Sequence, residues 1–160
     1  MSDETFSLFA ILGSIASAAA LYHLFRRGQA LRRLQRSLEE QGVWFGAAFQ
    51  IRFRGLAGEK GQFVVRAAEP ELVARARAEL QKPIEKRLHV TGTLAKGDGG
   101  FNRPWSWHIA PDQWDLVETS IELCDGTPVD VEGNLQYWLY TVKRFCPWTS
   151  YLESELLPVM

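Results

Sequence analysis

Residues 6–25 contain no Asp, Glu, Lys or Arg, and this charge-free run of 20 residues constrains the chain more than any other feature. At about 1.5 Å rise per residue, a helix of that length spans about 30 Å, the thickness of a bilayer's hydrocarbon core. Asp3 and Glu4 precede the run, whereas a basic block follows it. Because Lys and Arg beside a span tend to stay in the cytoplasm, we predict a single-pass anchor over residues 1–25 in the inner (cytoplasmic) membrane, with the N-terminus outside and the soluble part cytoplasmic. The basic block consists of Arg26, Arg27, Arg32, Arg33 and Arg36.

Two other interpretations of the charge-free run fit its pattern less well. Residues 16–18 read Ala-Ser-Ala and resemble a signal-peptide cleavage site, but a signal peptide carries its positive charge before the apolar run. A soluble amphipathic helix needs a polar face, and this run is apolar or small all round. The pattern therefore favours a membrane anchor.

Small side chains give the predicted anchor a narrow cross-section, which favours close packing against other helices. Gly13 and Ser17 lie four residues apart, as do Ser14 and Ala18. At that spacing, small residues let a second helix approach closely, and serine hydroxyls can hydrogen-bond across the contact. The sequence predicts a helix-packing interface made of Ala10, Gly13, Ser14, Ser17 and Ala18.

His23 lies near the predicted cytoplasmic boundary, four residues after Ala19. The Ala-x-x-x-His spacing resembles the chlorophyll-ligating spacing of bacterial light-harvesting helices, in which an imidazole nitrogen ligates the metal of the macrocycle. Ionisable residues near a span are candidates for function, so His23 is a candidate bacteriochlorophyll contact. The alternative is an ordinary interfacial histidine, since Tyr22 and Phe25 are typical of the same boundary. No other cofactor is expected.

Residues 26–42 are predicted to form a basic amphipathic stem that ends at Gly42. The helical spacing runs from Leu24 to Gln41, with leucines on one face and the arginines on the rest. Basic residues at a membrane surface attract anionic lipid headgroups at about 1 kcal/mol each, so headgroups are expected partners of the stem. The formal net charge of the whole chain is −1, which gives no reason to expect a nucleic-acid partner. The leucines are Leu24, Leu31, Leu34 and Leu38.

Residues 43–160 are long enough for one domain with a core of its own. Phe49, Ile51 and Phe53 alternate with polar residues, which predicts a strand that a turn connects to a second strand. Pro70 marks the start of a helix that ends by Pro83. The whole pattern predicts an α+β domain whose antiparallel sheet is covered on one face by two helices. The predicted strands are 43–54, 62–67, 88–96, 106–110, 114–123 and 148–155, and the second helix is 129–142.

Several short motifs in this domain occur in a distinctive order. His89-Val-Thr-Gly is followed by Asn102-x-Pro-Trp-Ser-Trp-His, by Glu122-x-Cys-Asp, by Val131-Glu, and by Cys146-Pro-Trp-x-Ser. Over residues 63–156 the chain resembles the domain at the N-terminus of a slime-mould calmodulin-binding protein, which also occurs in many bacterial proteins. The resemblance implies no catalytic activity, and many relatives look secreted. It marks as motif residues His89, Trp105, Trp107, Cys124, Cys146 and Trp148.

The two cysteines, Cys124 and Cys146, leave three chemical alternatives open. They form a disulfide if the domain is exported, and they are two reduced, buried thiols if it is cytoplasmic, so the pair tests the topology. With His89 and His108 they make a two-His, two-Cys set, although structural zinc sites usually draw their ligands in close pairs. A cysteine nucleophile with a histidine base is also conceivable, but nothing specific supplies the third, orienting group. We predict neither a metal site nor catalysis.

Two functions remain after these exclusions. The first is a non-catalytic accessory subunit of a larger membrane complex of photosynthetic or respiratory type, such as a reaction centre or light-harvesting assembly. Its helix would dock against integral membrane subunits, and its soluble domain would cap them. The second is an independent membrane-tethered module that binds a small ligand, a metal or a peptide. In that case the ligand would lie against the sheet and the tryptophan-rich loop, where large aromatic side chains otherwise belong to the core.

Overall fold

The computed structural model describes residues 46–156 together with Phe25, Arg26 and Gln29, which are helical and exposed. The chain divides into two units, Met1–Phe45 and Gly46–Met160. In the part of the chain that is described, no helix is both long and apolar enough to cross a membrane. The predicted anchor apart from Phe25, and the stem apart from Arg26 and Gln29, lie outside the described residues. So do the candidate residues Ala10, Gly13, Ser14, Ser17, Ala18, His23, Arg27, Arg32, Arg33 and Arg36.

The predicted hairpin is present as strands β1 (Ala47–Phe53) and β2 (Gln62–Ala67). Residues in both strands alternate between buried and half-buried positions, as period-2 patterning requires. The last strand, labelled β6 here (Ser150–Leu156), pairs antiparallel with the other edge of β1. These strands form a three-stranded sheet in the order β2-β1-β6.

A second three-stranded sheet has the order β4-β3-β5. Its strands are β3 (His89–Lys96), β4 (Trp107–Val117) and the short β5 (Arg144–Phe145). The strands predicted at 106–110 and 114–123 are parts of one strand, which ends at Val117 and is interrupted where Asp112 adopts a φ of 59°.

The prediction of one sheet covered on one face is wrong, because the strands form two sheets that enclose the core between them. Alternation identifies the buried face of a strand, but it does not determine which strands pair. The sheets meet where Trp114 Nε1 of β4 donates to Arg66 O of β2 (2.9 Å), and Val64 N of β2 donates to Asn102 Oδ1 in the loop before β4 (2.8 Å). The largest fully buried side chains of this core are Trp107, Phe49, Phe63, Phe145, Ile51 and Ile109.

Helix α1 (Pro70–Leu80) confirms the first predicted helix. Pro70 occupies its first turn, where a missing N–H removes no helical hydrogen bond. Asp112 Oδ1 accepts hydrogen bonds from Ala68 N (2.7 Å) and Glu69 N (2.9 Å), so the irregular point of β4 holds the chain that enters α1. The positive φ of Asp112 thus has a structural reason.

The second predicted helix, 129–142, is interrupted. It consists of α2 (Pro128–Gly133), α3 (Leu135–Tyr137) and a π-helical turn (Trp138–Val142). The break falls at Asn134, whose φ of −143° and ψ of 54° are not helical. Gly133 and Asn134 are weak helix formers, so the helix is interrupted there although apolar residues recur at helical spacing on both sides.

Four strand ends meet at one end of the domain. His89 at the start of β3 pairs with Val117 at the end of β4, and Ser150 at the start of β6 pairs with Phe53 at the end of β1. Val90 N donates to Ser150 Oγ (3.0 Å) and connects the two sheets there. Four connections therefore surround this end, namely residues 54–61, 81–88, 118–127 and 146–149.

Candidate functional site

Four of the six motif residues lie at this end of the domain. Cys124 and Cys146 form a disulfide with a Cα–Cα distance of 5.2 Å, and both are at most 1% exposed. Cys146 N also donates to Cys124 O (2.8 Å). The pair therefore joins the connection 118–127, called the disulfide loop below, to the connection that leads into β6.

The disulfide settles the alternatives left by the sequence. Both sulfurs are bonded to each other, so neither is a thiolate available to zinc or to a substrate carbonyl. Among the described residues, no three His, Cys, Asp or Glu side chains are grouped so that they could hold a metal ion. His108 takes a structural role instead: its Nδ1 lies 2.7 Å from Gly97 O, and its ring contacts Phe101 edge to face.

Two further contacts hold the disulfide loop against the strand ends. Ser120 Oγ lies 2.8 Å from His89 Nε2, and Asp125 Oδ1 accepts a hydrogen bond from Trp148 N (2.9 Å). The loop is thus attached at Ser120, at Cys124 and at Asp125. Attachment at three points in six residues fixes the loop far more firmly than a connection held only by its ends.

Large apolar side chains project from these fixed segments. Ile121 is 66% exposed, Leu123 is 61% exposed and Trp148 is 45% exposed. We call these three side chains the apolar surface. Glu118 and Glu122, which are both exposed, flank it within the disulfide loop. Contiguous exposed apolar groups bounded by charged residues are typical of binding surfaces, and the disulfide and the Asp125–Trp148 hydrogen bond bring these two segments together.

A polar cleft of about 470 Å³ adjoins the same end. Burial lowers the pKa of His89, and the nearby Arg54 guanidinium lowers it further, while Asp125 opposes both effects. His89 therefore favours its neutral form. The cleft is lined by Arg54, Glu85, Lys86, Arg87, Leu88, His89, Val117, Glu118 and Trp148.

The remaining motif residues, Trp105 and Trp107, belong to the core. Trp107 is fully buried, and its ring centroid lies 5.6 Å from that of Phe63 and 5.4 Å from that of Phe145. Trp105 Nε1 donates to Gln62 O (2.9 Å). The buried Asn102 organises this region, since its Oδ1 accepts from Val64 N and its Nδ2 donates to Trp107 O (2.8 Å).

Trp105 also lines an apolar groove of about 390 Å³ at the surface. The groove lies between the turn that precedes β2, the loop that precedes β4 and helix α2. Glu132 closes one side by accepting hydrogen bonds from Ser106 N (2.9 Å) and Ser106 Oγ (2.7 Å). Its lining residues are Glu59, Lys60, Pro104, Trp105, Val129, Glu132 and Gly133.

Sequence reasoning missed Arg54, Ser120 and the apolar side chains at positions 121 and 123. Arg54 follows an alternating strand and resembles any exposed residue there. The sequence pattern predicts that the strand continues to residue 123, whereas it ends at Val117. The signal that could have located the loop is the pair of motifs Glu122-x-Cys-Asp and Cys146-Pro-Trp, because joining their cysteines brings Trp148 beside Asp125.

The comparison with protein families agrees with the resemblance inferred from the motifs. No curated protein and no solved structure is significantly similar to the chain. A family model described as the BP-74 N-terminal domain matches residues 47–158, which covers β1 to β6 and all six motif residues. The chain therefore belongs to the BP-74 N-terminal domain family.

Proposed function

We propose that the chain is a non-catalytic accessory subunit of a larger membrane complex, and that the apolar surface is the domain's contact with an integral membrane subunit. The observation that carries the proposal is the exposure of Ile121, Leu123 and Trp148 on segments that the disulfide holds in place. A rigid apolar surface docks without the cost of ordering a mobile loop. The photosynthetic or respiratory nature of the complex is part of the proposal and rests on the sequence pattern of the first 25 residues.

The acidic border defines the partner's chemistry. Glu118 and Glu122 flank the apolar surface, so the complementary surface has an apolar centre and basic residues at its edge. The small-residue helix supplies a second contact within the bilayer, and the basic stem lies at the lipid headgroups. With His23 at the boundary, a pigment-containing complex is the preferred assembly.

The disulfide supports placing the domain on the oxidising side of the membrane. Disulfides persist in exported compartments and are rare in the cytosol. The basic block favours the cytoplasmic side, but that preference is a statistical bias among flanking charges, whereas a covalent bond between two buried cysteines needs an oxidant. In intact cells, an impermeant thiol reagent should label a cysteine introduced at the exposed position 96 if the domain is exported. Protection of that cysteine from the reagent until the cells are lysed would place the domain in the cytoplasm.

The docking surface can be tested by weakening it. Burying the exposed parts of Ile121 and Leu123 should contribute about 1–2 kcal/mol each. The double variant Ile121→Ser/Leu123→Ser should therefore weaken association by roughly 30- to 700-fold, which corresponds to about 2–4 kcal/mol. The matched control is Tyr140→Ser, since Tyr140 is 59% exposed on the π-helical turn, outside the apolar surface.

The assay is purification of each variant from native membranes in mild detergent. Wild-type chain and Tyr140→Ser should comigrate with a large complex, and the double variant should migrate alone with its fold intact. A wild-type chain that migrates as a free monomer would contradict the proposal. Gly13→Leu tests the helix contact in the same way and should weaken assembly without unfolding the domain.

The alternative function is an independent membrane-tethered binding module. The specific observations in its favour are the groove beside Trp105 and the polar cleft beside Trp148, which each have a volume suited to a small molecule. A stable free monomer that retains a ligand through purification would favour this alternative.

A further inference from the structure

The polar cleft contains more positive than negative charge. Three of its lining side chains are cationic, Arg54, Lys86 and Arg87, and two are carboxylates, Glu85 and Glu118. The difference of three and two leaves one net positive charge, because His89 favours its neutral form. A cleft with that balance is suited to a monoanion.

Arg54 is held in place by backbone carbonyls. Its Nη2 donates to Ile84 O (2.8 Å) and Arg87 O (2.9 Å), and its Nη1 donates to Ser150 O (3.2 Å). Its guanidinium also lies over the Tyr151 ring, 5.3 Å from the centroid. These contacts orient the cation without neutralising its charge.

Arg87 is held in the same manner. Its Nε donates to Lys82 O (2.9 Å), its Nη1 to Leu152 O (2.6 Å) and its Nη2 to Leu80 O (2.9 Å). Within the described part of the chain, no carboxylate oxygen lies within 4.0 Å of a side-chain nitrogen of Arg54 or Arg87. Most other arginines of the domain do have such a partner, in the pairs Arg52–Glu153, Arg75–Asp115, Arg77–Glu155 and Arg103–Asp98.

Arg54 is fixed and has no carboxylate partner among the described residues, so it offers a preorganised site for an anion, and Arg87 adds a second fixed charge nearby. The carbonyl contacts keep the guanidinium groups in position, so little reorganisation opposes binding. The exposed surface of the cleft is mostly polar, and its apolar part comes from Leu88, Val117 and the half-exposed Trp148. An anion with an apolar or aromatic group would satisfy both parts of the cleft.

We propose that this cleft binds a monocarboxylate that carries an aromatic or aliphatic group, with the carboxylate beside Arg54 and Lys86 and the apolar group against Trp148. Such a carboxylate occurs in a small organic acid and at the C-terminus of a polypeptide. The site is separate from the apolar surface except for Trp148, which borders both.

Benzoate and hexanoate are suitable probes, and the protein is the full chain in mild detergent. Both acids should bind saturably, and benzoate should quench the tryptophan fluorescence of wild-type chain but not of Trp148→Leu. Benzamide has the shape of benzoate without its charge and should not bind. If neither acid binds saturably, or if benzamide binds as tightly as benzoate, the proposal is wrong.

Matched charge variants test the position of the carboxylate. Lys86 is an exposed residue of the cleft, so Lys86→Gln should leave the fold intact and weaken benzoate binding about five-fold, as expected for one exposed charge pair. Lys96→Gln is the control, because Lys96 is exposed at the opposite end of β3. Equal affinities of the two variants would contradict the assignment.

The source of the carboxylate follows from a peptide series. A short peptide that ends in Phe with a free C-terminus is compared with its amidated form. Tighter binding of the free peptide than of benzoate would identify a polypeptide C-terminus as the ligand. Binding no tighter than that of benzoate would identify a small organic acid, and either result is consistent with a carboxylate site.

Discussion

Removal of the disulfide should destabilise the domain by an amount that the sequence separation predicts. Cys124 and Cys146 are 22 residues apart. In the loop-closure model, the bond lowers the entropy of the unfolded chain by 2.1 cal/mol/K plus 1.5R times the logarithm of the loop length, which gives about 3.4 kcal/mol at 25 °C. For a domain of about 110 residues, a loss of this size lowers Tm by about 15 °C.

The perturbation is the double variant Cys124→Ala/Cys146→Ala, because alanine leaves no buried hydroxyl and no free thiol that could mispair. Thermal unfolding of the full chain is followed by tryptophan fluorescence in mild detergent. Wild-type chain in reductant is the control and should lose as much stability as the variant. A loss below about 1 kcal/mol in both samples would refute the reasoning from loop closure.

The same variant distinguishes destabilisation of the whole domain from local opening of the disulfide loop. The disulfide attaches a loop whose other contacts include the Ser120–His89 and Asp125–Trp148 hydrogen bonds and the hydrogen bond from Cys146 N to Cys124 O. Once the bond is absent, the disulfide loop should become the first site of limited proteolysis, while β1 and β2 remain protected. Cleavage that begins in the strands instead would mean that the bond supports the sheets rather than the loop.

Three further predictions concern the core and the histidine. Gly92→Ala should lower the free energy of unfolding by about 3 kcal/mol or more, since its new Cβ would lie 2.4 Å from Ile109 Cγ2. The control Gly133→Ala adds a Cβ with no atom within 4 Å and should not lower the free energy of unfolding, which urea unfolding measures for both variants. Asn102→Ala should cost about 2–5 kcal/mol in the same assay, because it leaves two backbone groups without their partner, and a loss below about 1 kcal/mol would contradict this. Because the pKa of His89 is lowered in the folded chain, its contribution to stability should be complete above about pH 6.5 and should be lost as the pH falls from there toward the folded-state pKa. His89→Gln should abolish this pH dependence of the free energy of unfolding. A variant with the same pH profile as wild-type chain would contradict the role of His89.

Local patterns in the sequence were sufficient to predict the strands that flank the first turn, helix α1 and the strand beginning near His89. Alternation in β1 and a proline in the first turn of α1 are properties of neighbouring residues, so they can be recognised without the fold. The division into two sheets could not be predicted in this way. It depends on β6 pairing with β1 across about 100 residues, and no local pattern encodes that choice.

The candidate site was predictable to a similar extent. The motifs identified His89, the cysteines and Trp148, and the structure brings these residues to one end of the domain. The role of Arg54 could not be anticipated, because its partners are backbone carbonyls of residues 84, 87 and 150, which only the folded chain brings together. The exposure of Leu123 could not be predicted either, because it depends on the residue at which β4 ends.

Photocrosslinking from Leu123 in intact native membranes tests the docking claim most directly. A photoreactive residue at position 123 should form a covalent adduct with an integral membrane subunit, and the same residue at position 96, at the opposite end of β3, should not. A failure to crosslink any protein from position 123, or an identical pattern from both positions, would contradict the account.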